Sequence, residues 1–159
     1  MTQRVELATV MDRLAVDGLI TEYAVTVDDG DWKAYRELFT ADGRADYRSA
    51  GGIEGGAGEV TEWLARSMEL FSVRQHLIVN RRVRFGVLEH DLGDTAQVQA
   101  DYVNPMRFAG HNGGSTAPDF VCGGRYAFAL VRTDDGWRLR EVVVREKWRR
   151  TPDRQPATP

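Results

Sequence analysis

Arg74-Gln75-His76-Leu77-Ile78-Val79-Asn80 alternates polar with apolar side chains, the pattern of a half-buried strand. Read as one strand, it places His76, Ile78 and Asn80 on one face and Leu77 and Val79 on the other. An imidazole and an amide two strand-steps apart exceed what packing alone requires. If that face lines a pocket, His76 is the side chain able to exchange a proton near neutral pH.

Working outward, the remainder of the chain after this stretch reads as β. Val73 to Leu88 forms one long strand, and Glu89 to Asp94 supplies turn residues before a second strand from Thr95 to Phe108. A glycine-rich loop, Ala109 to Pro118, leads to a third strand ending near Arg132. Thr133-Asp134-Asp135-Gly136 signals a hairpin before the last strand, Trp137 to Trp148. Upstream the pattern is helical. Val5 to Val27 spaces Leu7, Val10, Met11, Leu14, Leu19, Ile20, Tyr23, Ala24 and Val27 as an inward stripe. Gly30 ends that helix and Asp31 caps a second, Trp32 to Phe39. A short strand, Arg44 to Arg48, sets Ala45 and Tyr47 opposite Asp46. After a glycine-rich loop, Glu59 to Phe71 reads as an amphipathic helix. Helices followed by long antiparallel strands predict an α+β fold, a curved antiparallel sheet whose cone is closed by the N-terminal helices around a pocket. Residues 1–150 form a single domain, and 151–159, with three prolines, a frayed tail.

Composition narrows the partners. The 159 residues carry a net charge of −3 with both signs interspersed, so no basic footprint for nucleic acid is present. No apolar run is long enough for a bilayer, and the first residues lack a signal-peptide pattern. With Cys122 the only cysteine, no intramolecular disulfide can form, and the expected compartment is the cytoplasm. The histidine and carboxylate spacing matches no metal-ligand set, and the glycine pairs lack the strand–helix setting of a phosphate loop. The expectation is therefore no metal and no cofactor.

Among the three histidines, His90 sits in a turn beside Asp91 and Asp94 and reads as solvated. His111 lies in the glycine-rich loop and reads as surface. His76 gains a partner from the first helix. Asp28 falls eight residues after Ile20 and four after Ala24, so it continues the inward stripe. A carboxylate there is costly unless paired. An Asp–His pair fixes the imidazole tautomer and strengthens it as a general base.

Tyr23-Ala-Val-Thr-Val-Asp28-Asp-Gly-Asp-Trp32, Leu38-Phe39-Thr-Ala-Asp42 and Gln75-His76-Leu-Ile-Val-Asn80 together resemble the SnoaL-like branch of the nuclear transport factor 2-like superfamily. Gly124-Arg125-Tyr126 and Asp135-Gly136-Trp137-Arg138 fit the same pattern, so the resemblance runs from about Val5 to Trp148. It implies kinship with scytalone dehydratase, bile-acid dehydratase, a hexachlorocyclohexane dehydrochlorinase and polyketide cyclases. Eliminating members use a helix Asp with a strand His, which match Asp28 and His76. The resemblance gives Tyr23 and Tyr47 the role of holding a substrate carbonyl. Tyr102 stands where scytalone dehydratase has a second histidine, which argues against scytalone as substrate. A late-strand basic residue, Arg125 or Arg132, contributes in some members.

The combined expectation is a cofactor-independent dehydratase of a hydrophobic cyclic substrate, polyketide or steroid-like. His76 and Asp28 would be catalytic, with Tyr23, Tyr47, Asn80, Tyr102 and Arg125 contacting substrate. The same base would equally serve a polyketide cyclase or an isomerase, and the fold also serves non-catalytic binding or subunit-assembly modules. Val142 and Val144, opposite Val143, suggest a last strand buried on both sides, hence a homo-oligomer (dimer or trimer) packed through the sheet.

Overall fold

The computed structural model describes residues 2–88, 91–110 and 114–152, with the side chains of 2–5, 87, 88, 91 and 92 left aside. His90, His111 and all but the first two residues of the 151–159 tail lie outside the described residues. The elements run α1 (Thr2–Asp29), α2 (Trp32–Glu37), β1 (Phe39–Asp46), a single 3-10 turn (Arg48–Ala50), β2 (Glu54–Gly56), α3 (Ala57–Met68), β3 (Phe71–Val73), β4 (Leu77–Leu88), β5 (Asp91–Phe108), β6 (Phe120–Thr133) and β7 (Gly136–Arg150). This is the expected α+β architecture, with helices covering the inner face of a sheet of order β2-β1-β7-β6-β5-β3, and β4 also paired to β5.

The sheet is mixed rather than wholly antiparallel. β1 runs parallel to β7, with Ala45 opposite Val142 and Asp46 opposite Val143. The 3-10 turn, β2 and α3 separate β1 from the strands that follow, giving the crossover length a parallel pair needs.

The helix stripe holds for its second half only. Val16, Ile20, Tyr23, Ala24 and Val27 are all buried, whereas Leu7, Val10, Met11 and Leu14 are each more than half exposed. The first half of this 28-residue helix therefore carries its apolar spacing without cover. That half is fastened through Asp12, whose carboxylate takes two hydrogen bonds from Arg132 at 2.8 Å and one from Trp137 Nε1 at 3.1 Å. Inside, Tyr23, Tyr35, Tyr126 and Phe128 pack edge-to-face and tilted around α1. On β7, Val142 and Val144 are buried inward and only Val143 faces out, half-buried. The outer face is otherwise rich in Arg82, Arg84, Gln97, Gln99 and Glu141. No helix among the described residues is long and apolar enough to cross a membrane.

Candidate active site

Helix α1 ends where the sequence requires. Gly30 adopts φ +69°, its N–H reaches Val27 O at 3.2 Å and the Asp31 N–H reaches Thr26 O at 2.9 Å, a Schellman closure. Asp31 then caps α2 by accepting from the Ala34 N–H at 3.0 Å. Asp28 is thereby fixed in the last turn of α1, beside carbonyls carrying partial negative charge. That is a poor place for a carboxylate without donors, and residue 76 supplies two of them. The His76 N–H donates to Asp28 at 2.9 and 3.1 Å, and the ring Nδ1 lies 2.6 Å from Asp28 Oδ1. The two side chains are only 8% and 22% exposed, so water screens the pair weakly.

The strand reading of the opening stretch needs correction at both ends. β3 and β4 are separate strands, and His76 lies in the connecting segment immediately before Leu77. At the other end Asn80 takes φ +53° inside a bulge between the Val79–Asp101 and Arg82–Gln99 pairs. The extra residue breaks the alternation and turns Asn80 outward, where its amide meets Asp101 at 3.5 Å. Arg81 swings the other way and grips α1 through Asp17 and Thr21 at 2.9 Å.

His76 borders a cavity of about 310 Å³. Its wall draws Tyr47, Trp63, Leu64 and Met68 from the helical side and Tyr102, Asn104, Met106, Phe108, Phe120, Cys122, Tyr126, Glu146 and Arg149 from the strands. With the Nδ1 hydrogen donated to Asp28, Nε2 is the imidazole nitrogen left to carry a lone pair. Tyr47 follows β1 and caps the 3-10 turn, held there by its neighbours: Asp46 accepts from the Arg48 backbone N–H and from its guanidinium at 2.8–3.0 Å. The Tyr47 hydroxyl is bonded to the Tyr23 hydroxyl and lies 3.2 Å from that of Tyr35. When Tyr23 and Tyr35 donate, the Tyr47 hydrogen is free to point into the cavity. Burial, more than the neighbouring tyrosines, raises the Tyr47 pKa well above its usual value, so it acts as a neutral donor.

The structure therefore brings Asp28, His76, Tyr47 and Tyr102 to one place, with Tyr23 directly behind Tyr47 rather than on the cavity wall. It does not bring Asn80 or Arg125 there. Arg125 lies on the outer face, its Nε 2.8 Å from Asp101, and Arg132 is engaged with Asp12 and Asp94. The cavity's arginine is Arg149, bound to Glu146 at 2.6 and 2.9 Å. Asn104, Glu146 and Arg149 were not singled out in the sequence. Asn104 had a readable signal, as the one amide on the inward row Ala100, Tyr102, Asn104, Met106. Burial first, then the Glu146 charge, pushes the Cys122 thiol up to about 11, which makes it unreactive as a nucleophile. Among the described residues no cluster of three or more His, Cys, Asp or Glu could hold a metal ion.

Residues 8–143 match the SnoaL-like domain, and the chain belongs to that family. It is 34% identical to the protein Rv2910c of Mycobacterium tuberculosis over 133 residues, 84% of either chain. In fold it is similar to a protein assigned as a scytalone dehydratase from Novosphingobium aromaticivorans, at 17% identity and a TM-score of 0.73 over 98% of this chain and 99% of that one. It is equally similar to a hexachlorocyclohexane dehydrochlorinase, LinA Type2, at 15% identity and a TM-score of 0.76 over 97% and 98%. At these identities the last two likenesses show the fold alone.

Proposed function

We propose that the protein is a cofactor-independent lyase acting on a hydrophobic cyclic substrate, with His76 as general base and Asp28 as its orienting partner. The observation that carries this reading is the 2.6 Å contact between His76 Nδ1 and Asp28 Oδ1 at the wall of the cavity. His76 Nε2 takes a proton from carbon next to a carbonyl. The C–H electron pair moves into that carbonyl, whose oxygen gains negative charge and accepts a hydrogen bond from Tyr47. Collapse of the enolate forms the carbon–carbon double bond and breaks the bond to the β-hydroxyl. The imidazolium returns its proton to the departing oxygen, releasing water and restoring His76. A positioned base contributes about 10²–10⁴-fold to such a step, and an aimed oxyanion donor about 10²–10³-fold.

Two of the fold relatives are named as eliminating enzymes, a dehydratase and a dehydrochlorinase, which supports elimination over ring closure with the same base. An open, aromatic-lined cavity also supports an enzyme over a subunit-assembly module. The test is turnover by His76→Ala and Asp28→Asn, with folding checked by circular dichroism and product mass compared with substrate. Elimination of water by the unmodified protein and its loss in both variants is expected. Full turnover in both would remove the dyad from the mechanism, and an unchanged product mass would move the reaction to isomerisation or cyclisation. We also infer self-association through the sheet's outer face, where the paired Leu77 and Val103 are 43% and 37% exposed. A monomeric mass by sedimentation would contradict it.

A further inference from the structure

Two polar groups on the cavity wall have no use in the proton transfer described above. The side chains of Tyr102 and Asn104 belong to residues only 2% and 4% exposed. The Tyr102 hydroxyl and the Asn104 Oδ1 are buried and find no hydrogen-bond partner among the described residues. A buried polar atom without a partner is destabilising, and native proteins keep few of them. Both residues lie on the inward row of β5, two positions apart and facing the same cavity as His76.

The orientation of the Asn104 amide defines what would satisfy it. Of its two polar atoms it is the oxygen, an acceptor, that is buried with no hydrogen-bond partner among the described residues, so the oxygen is the free end. A ligand atom there must bring a hydrogen, which excludes a carbonyl or an ether. The Tyr102 hydroxyl beside it can donate in return. Among small neutral groups that both donate and accept, an alcohol or phenol hydroxyl does so through a single oxygen. Charge points in the same direction. The Glu146 carboxylate, whose side chain is 12% exposed, borders the same wall already paired with Arg149, so an anion there would lose its water without gaining an unpaired cation. Beyond these groups the cavity is lined by Phe71, Phe108 and Phe120.

We propose that Tyr102 and Asn104 form a hydroxyl-recognition subsite, Asn104 Oδ1 accepting the hydrogen of a substrate hydroxyl and the Tyr102 hydroxyl donating to its oxygen. The substrate class is then an uncharged, hydroxylated, otherwise hydrophobic ring compound. This deepens the lyase reading and rests on it for the identity of the cavity as the substrate site. A site built to bond a hydroxyl rejects analogues that lack it, because its own buried groups are then left unpaired.

Equilibrium dialysis of the full chain against 2-naphthol, 2-methylnaphthalene and 2-naphthoate tests the subsite. These probes share one ring system and carry no acidic C–H beside a ketone, so the measurement is blind to the elimination chemistry. The expected result is that 2-naphthol binds about tenfold or more tightly than 2-methylnaphthalene, the equivalent of one buried hydrogen bond, with 2-naphthoate the weakest. Asn104→Leu and Tyr102→Phe should each reduce the preference to about threefold or less. Tyr102→Phe removes a single oxygen and decides the matter if Asn104→Leu does not fold. Equal affinity for the first two probes, no binding of either, naphthoate binding as tightly as naphthol, or an undiminished preference in the folded variants would each overturn the subsite. Those outcomes leave the dyad reading standing, since that reading fails only on the turnover of the His76 and Asp28 variants.

Discussion

One carboxylate, that of Asp28, holds residue 76 by both its backbone amide, at 2.9 Å, and its imidazole Nδ1, at 2.6 Å. The backbone bond fixes where the residue sits just ahead of β4, and the ring bond fixes which way the imidazole turns. Asp28→Asn preserves size but replaces an acceptor oxygen with an N–H donor. The expected outcome is a fall in kcat of about 10²–10⁴-fold with KM little changed, measured by steady-state kinetics once a turned-over substrate is in hand.

Tyr47 and Tyr23 share a hydrogen bond but only Tyr47 borders the cavity. Tyr47→Phe should therefore lower kcat by about 10²–10³-fold. Tyr23→Phe removes only a supporting donor, so its loss should be nearer to tenfold, the size of one ordinary hydrogen bond. Equal losses, or a greater loss in Tyr23→Phe, would place the carbonyl-holding group elsewhere.

Much of this geometry was legible in the sequence because periodicity reports which face a residue occupies. Ile20, Ala24 and Asp28 fall on one helical stripe whether or not the fold is known, and Gly30 marks where that helix must stop. Periodicity fails where an extra residue enters a ladder. Asn80 was read as a neighbour of His76 because alternation was assumed to continue, and the bulge with its left-handed backbone reversed it. The Leu7 to Leu14 stripe was read as inward because spacing alone cannot tell where a helix loses its cover. Arg125 was proposed by resemblance, and its inward alternate Tyr126 took the cavity instead.

The turn that carries Tyr47 depends on Asp46. Hydrogen bonds from the Arg48 guanidinium, then from its backbone N–H, hold the Asp46 carboxyl down at about 2 against an ordinary 3.8. A carboxyl with a depressed folded-state pKa stabilises the fold above its unfolded value and loses that contribution as pH falls through the folded one. Melting temperatures of the parent and Asp46→Asn should therefore differ at neutral pH and converge between about pH 4 and pH 2. A gap that persists to pH 2 would contradict the assignment.

Gly124 faces the chain of β7 so closely that an added Cβ would stand 2.8 Å from Glu146 Cα and 2.9 Å from the Tyr102 hydroxyl. Gly124→Ala should destabilise the protein by about 1–3 kcal/mol through overpacking. Denaturant unfolding checks this. Unchanged stability would mean that β6 and β7 separate more easily than their pairing implies.

The most direct test of His76 as the base needs no substrate. Long-range proton–nitrogen correlation spectra of nitrogen-15-labelled protein report which ring nitrogen carries hydrogen. At a pH where the imidazole is uncharged, His76 should hold its hydrogen on Nδ1 and leave Nε2 bare. Asp28→Asn should abolish that preference. A His76 ring with its hydrogen on Nε2 in the unmodified protein would contradict the dyad, since no lone pair would then face the cavity.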